Sequence, residues 1–126
     1  MMFNSVRLKA FIACSDIQRA RDFYVDTLGC GLIERTPYAV VLNVGGTELR
    51  ITLVDIFEPH PFPVIGFEVG DVRAEVEQLR AAGVEFLEVT GTEQDEDRIY
   101  HVPGGGEVAW FLDPDGNTLT LQRTIG

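Results

Sequence analysis

The side chains able to do chemistry in this chain are few and widely spaced. Its two histidines are His60, inside a proline-rich stretch, and His101, close to Pro103; its two cysteines are Cys14 and Cys30. No two of these stand at the short spacing that brings donors to one metal ion. Lys9 lies in an alternating apolar segment, where loss of water would favour the neutral amine and let it act as a base or form a Schiff base. The prominent acids Asp16, Asp71, Asp113 and Asp115 are accounted for by helix capping and turn chemistry, which takes them off a catalytic list. Gly104-Gly105-Gly106 has no helix start after it and reads as a hairpin turn, not a phosphate loop. The acidic run 93–97 could attract a cation or a basic partner, but reads as a solvated, mobile loop that could also act as a lid.

The elements that must position these groups occur twice. Ser15-Asp16-Ile17 leads to Ala20 and then Leu28-Gly29, and Gly70-Asp71-Val72 leads to Ala74 and then Ala82-Gly83, with the two aspartates 55 residues apart. Each copy has an apolar run before the Asp, a helical stripe after it and a glycine stop, followed by further alternating segments. The repeat predicts an α+β protein of two βαβββ modules. Strands are expected near residues 6–14, 31–36, 38–44 and 47–54, with Gly45-Gly46 as a hairpin turn. Pro59, Pro61 and Pro63 forbid a central strand, so 55–63 reads as a linker between module one, about 1–56, and module two, about 64–126, within a single domain. The second module adds strands near 64–69, 84–89, 98–102, 107–112 and 118–123, one more than the first.

A chain of 126 residues with 45% hydrophobic and 24% charged residues is sized and composed as one soluble domain. Twenty acidic against ten basic residues give a formal charge of −10, which repels phosphate backbones and anionic lipid, so neither nucleic acid nor membrane is an expected partner. The N-terminus lacks a basic start and a long apolar core, and a cytoplasmic protein with reduced thiols is the expectation.

Asp16 with Ala20-Arg21-Asp22-Phe23-Tyr24 and Leu28-Gly29, Val69-Gly70-Asp71-Val72 with Leu79 and Gly83-Val84, and Trp110-Phe111-Leu112-Asp113-Pro114-Asp115-Gly116-Asn117 occur in that order over nearly the whole chain. In these motifs the chain resembles the vicinal oxygen chelate superfamily, which includes glyoxalase I, bleomycin resistance proteins, fosfomycin resistance enzymes and extradiol dioxygenases. The resemblance implies a cup-shaped mixed sheet with helices on the convex side, a ligand on the concave face and, commonly, a homodimer. It also implies where metal ligands would stand. Those positions here are Lys9, Val64 and Thr120. An ammonium, an isopropyl group and a hydroxyl do not make a divalent-metal site, so no metal or other cofactor is expected.

If Lys9 faces the cup, strand alternation brings Phe11 there too, and puts Arg50, Thr52, Glu68, Thr120 and Gln122 on the same side. With Val64 and Trp110 these are the ligand-binding candidates; Tyr38, Tyr100 and His101 are candidates for the rim. Lys9 and Glu68 can be read as an internal ion pair, as ligand contacts, or as a proton-transfer pair. Three classes of function follow. The first is a metal-free small-molecule binding protein. The alternative is a lyase or isomerase acting on a small oxygenated substrate through Lys9 and Glu68, and the third is a paralogue serving only in assembly.

Overall fold

The computed structural model describes residues 3–124. The chain divides into two compact units, Met1–Glu58 and Pro59–Gly126, and the division falls inside the proline-rich linker.

The first unit begins with a short 3-10 turn, Phe3–Ser5, and then strand β1, Lys9–Cys14. Residues 6–8, expected within that strand, lie outside it. Asp16 adopts an extended φ of −152° and its carboxylate accepts from the Arg19 amide at 2.9 Å, which starts α1, Ile17–Arg21. The sequence pattern reads as one helix to Leu28, but the chain widens into a π-helical segment, Asp22–Thr27. There Leu28 N donates to Phe23 O at 2.9 Å, five residues back. Gly29, at φ +79°, ends it. Strands β2, Gly31–Arg35, β3, Ala39–Val44, and β4, Thr47–Leu53, follow as a meander. Gly45 and Gly46, at φ +57° and +92°, make the tight β3–β4 turn that only two positive φ values allow.

The sheet order is β1-β4-β3-β2, with β1 parallel to β4 and the other pairs antiparallel. The helix packs on β3 and β4. Against it the sheet buries Ile12, Cys14, Val40, Leu42, Leu49 and Ile51, with Ala20 and Tyr24 from the helical side. Each fully buried aliphatic chain there contributes roughly 1.5–3 kcal/mol.

The second unit repeats the plan. Strand β5, Pro63–Glu68, leads to Asp71, whose carboxylate accepts from Ala74 N at 3.1 Å and caps α2, Val72–Ala81. Val72, Val76 and Leu79 are its buried stripe. Strands β6, Tyr100–His101, β7, Glu107–Leu112, and β8, Thr118–Arg123, complete a sheet of order β5-β8-β7-β6, in which β5 runs parallel to β8. Asp113 is buried and accepts from the amides of Asp115 and Asn117, both at 2.9 Å, so the turn before β8 is built on one carboxylate.

Two expectations for this unit are corrected. The segment 84–89 forms no strand: it makes a single bridge, Phe86 to Phe111. Leu87 N donates to Trp110 O at 2.8 Å, and the Gln94 amide accepts from Val89 N at 2.7 Å and donates to Leu87 O at 2.9 Å and Arg98 O at 2.8 Å. With that strand gone, each module has four strands. The acidic segment is also no free loop. Arg73 meets Asp95 at 2.6 Å and pairs with Asp97, Arg80 meets Asp97 at 3.2 Å, and His101 meets Asp95 at 2.9 Å. Among the described residues no helix is long and apolar enough to cross a membrane.

Candidate functional site

Each sheet has one face under its helix and an open face away from it, on which Ala39, Val41 and Thr120 are nonetheless buried, and these open faces hold most of the sequence-derived candidates. In the first unit the register aligns Lys9 with Glu48 and Asn43, Phe11 with Arg50 and Val41, and Ala13 with Thr52 and Ala39. Paired residues share a face, so Lys9, Phe11, Arg50 and Thr52 stand together on the side away from α1. Phe11 is 66% exposed, while Arg50 and Thr52 are half-buried. Tyr38, exposed, sits at the end of this sheet in the β2–β3 turn, where the Thr36 hydroxyl accepts from its amide at 3.1 Å.

In the second unit Gly66, Thr120 and Trp110 form one row, and Glu68, Gln122, Val108 and Tyr100 the next. The Thr120 hydroxyl donates to Gln122 Oε1 at 3.1 Å. Both side chains lean over Gly66, where a Cβ would stand 2.8 Å from Thr120 Oγ1 and 3.0 Å from Gln122 Oε1. Trp110 faces this side with its ring centroid 6.3 Å from that of Tyr100, whereas Phe111 next to it is wholly buried on the helix side. Val64 lies at an irregularity in the β5–β8 register and is exposed.

Two expected placements fail. Lys9 and Glu68 each take a partner within their own unit. The Lys9 ammonium is 3.3 Å from Glu48 with 62% of the side chain exposed, and the Glu68 carboxylate accepts from the Thr124 amide at 2.9 Å and hydroxyl at 3.1 Å. The parallel β1–β4 register puts Glu48 directly opposite Lys9, a pairing that local sequence does not display. His101 is no rim residue of the open face either. It pairs with Glu107 in the ladder and lines a cavity of about 300 Å³ on the helix side, with Gly70, Asp71, Arg73 and Arg123. The charges around that cavity are spent on one another: Arg123 grips Glu107 at 2.8 and 3.1 Å, and Arg73 and His101 hold Asp95. Burial acts to raise the Asp95 carboxyl, but bonds from His101, Arg73 and the amides of Ile99 and Asp97 outweigh it and hold it below the ordinary carboxylate range.

The donor chemistry at the three positions marked by the resemblance does not suit a divalent cation. Lys9 is an ammonium bound to a carboxylate, Val64 has no donor, and Thr120 is a neutral hydroxyl committed to Gln122. Among the described residues no three His, Cys, Asp or Glu side chains gather where they could hold a metal ion.

Two modules of like topology, each with an open face of this kind, define the class of protein, and comparison with known families agrees. Residues 6–121 match the model of the Glyoxalase/Bleomycin resistance protein/Dioxygenase superfamily, and the chain belongs to that superfamily. No curated protein matches it. A superfamily member from Sphaerobacter thermophilus is similar in structure at 26% identity and a TM-score of 0.74, over 95% of this chain and 98% of that one. The bleomycin resistance determinant encoded on the transposon Tn5 shares 19% identity at a TM-score of 0.72, over 95% and 98% of the two chains. The lactoylglutathione lyase from Agrobacterium tumefaciens shares 17% identity at 0.73, over 94% and 93%. At the identities of the last two, the likeness is one of fold.

Proposed function

We propose that this chain is a small-molecule binding protein that takes its ligand on the open sheet faces without a metal ion. The observation that carries the reading is the Thr120–Gln122 pair over Gly66, beside the Trp110 ring. A hydroxyl, a primary amide and an aromatic face offer directional hydrogen bonds and stacking, which orient a ligand but do not polarise a substrate as a Lewis acid would. The proton-transfer reading loses its support, since Lys9 and Glu68 are engaged elsewhere. The chain is further read as a homodimer, favoured by Leu32 and Ile33 exposed on edge strand β2. A cytoplasmic setting suits Cys14 and Cys30, which are not joined in a disulfide.

Trp110 is the chain's single tryptophan, which makes the test direct. Chelator-treated protein is screened against a small-molecule library by Trp fluorescence. The expected result is a saturable change that Thr120→Val weakens. Binding seen only after nickel, zinc, manganese or iron(II) is restored would overturn the reading.

A further inference from the structure

The chain carries twice as many acidic as basic residues, so a cation without a carboxylate partner is out of character. Lys9, Arg21, Arg73, Arg80, Arg98 and Arg123 all meet a carboxylate, and Arg19 and Arg35 hydrogen-bond to Ser15 and Gln18. Two cations remain with no hydrogen-bond or ion-pair partner among the described residues. One is Arg7, exposed just before β1; the other is Arg50, half-buried in the middle of the first unit's open face.

The neighbours explain why Arg50 stays unpaired. Glu48, two residues back on the same face, is occupied by Lys9 at 3.3 Å. Glu34 lies on the same row across Val41, two strands away and so roughly 10 Å off at the backbone. Thr52, the next residue of β4 on that face, also has a hydroxyl without a partner among the described residues. Phe11 stands directly opposite Arg50 in the β1–β4 ladder, largely exposed. A partly desolvated guanidinium with an open fork, a hydroxyl one step along and a bare aromatic ring beside it suit one kind of ligand.

We propose that Arg50 is an oxyanion-recognition residue, and that the open face of the β1–β4 sheet binds a small organic anion, its carboxylate or phosphate in the Arg50 fork near the Thr52 hydroxyl and its flat apolar body on Phe11. The inference rests on the reading that the open faces bind ligand, and it names the ligand's charge and shape. The long-range field of an acidic protein opposes such a ligand, so selectivity comes from local contacts and not from steering.

The full-length protein is titrated by NMR, up to tens of millimolar, with benzoate, phenyl phosphate, benzamide and benzylamine. The two anions are expected to bind about tenfold or more tighter than benzamide, with benzylamine weakest, and the tighter anion identifies the head group. Arg50→Gln should reduce both anions to the benzamide level with the melting temperature unchanged. Arg50→Lys, which keeps the charge but loses the fork, should recover only part of the binding. Equal binding of benzoate and benzamide, or unchanged anion binding in Arg50→Gln, overturns the inference. If in that case Thr120→Val still weakens neutral ligands, the open-face reading survives without it. If no member of the panel shifts any open-face resonance, both fall together.

Discussion

Gly66 and Thr120 face each other across the β5–β8 ladder so closely that the threonine hydroxyl, 2.8 Å from where a Cβ would stand, occupies the space of the missing side chain. The glycine is therefore part of the polar site. It makes room for the Thr120–Gln122 hydrogen bond and contributes no atom to it. Gln122 can swing aside, but Thr120 is buried and stiff at χ1, so Gly66→Ala should cost about 1–3 kcal/mol in stability by urea denaturation. It should also weaken ligand binding, because the pair must separate. Unchanged binding in the alanine variant would remove the pair from the site.

Lys9 and Glu48 form a solvent-exposed pair, so a double-mutant cycle of Lys9→Met with Glu48→Gln should give a coupling of about 0–1 kcal/mol that shrinks in high salt. The same cycle of Lys9→Met with Glu68→Gln should give a coupling near zero. A larger coupling for the second pair would restore the proton-transfer arrangement.

Asp95 is held below its ordinary value of 3.8, so the folded state binds its proton less readily than the unfolded state does. Its contribution is fully present above the unfolded value and is lost as pH falls through the folded one. Urea midpoints should therefore decline on the acid side, below about pH 4, and Asp95→Asn should flatten that part of the profile while lowering stability at neutral pH. An acid limb of the same slope in the variant would show that other carboxylates carry it.

The exposed Leu32 and Ile33 on β2 lead to the expectation of a dimer mass by light scattering at micromolar concentration, displaced toward monomer by Ile33→Lys. A monomer mass for the unaltered protein rejects the proposed assembly.

Much of this was legible from local chemistry. Asp16 and Asp71 cap helices because a carboxylate satisfies free amides within three residues, and Gly45-Gly46 turns because both residues take positive φ. Alternation, together with the apolar faces of β1 and β4, placed Phe11, Arg50 and Thr52 on one side of their sheet. What stayed hidden depends on contacts between distant residues. The Glu48 partner of Lys9 follows from a parallel register 39 positions along the chain, the difference of 48 and 9. His101 turned to the helix side because β6 begins only at Tyr100, after Arg98 takes φ +65°. The surplus strand at 84–89 had the right apolar pattern, but beyond one bridge to β7 it is held partly by the Gln94 side chain, a contact its own residues do not display.

That side chain belongs to a chemically labile residue type. Gln94 holds 87–98 together with one amide, which accepts from one backbone amide and donates to two carbonyl oxygens. Deamidation would replace the donating nitrogen with a carboxylate oxygen, and like would then face like against Leu87 O and Arg98 O. Ageing at this single position would therefore cost the segment the two hydrogen bonds that nitrogen donates, and leave it held by the pairs of Asp95 and Asp97 with Arg73, Arg80 and His101.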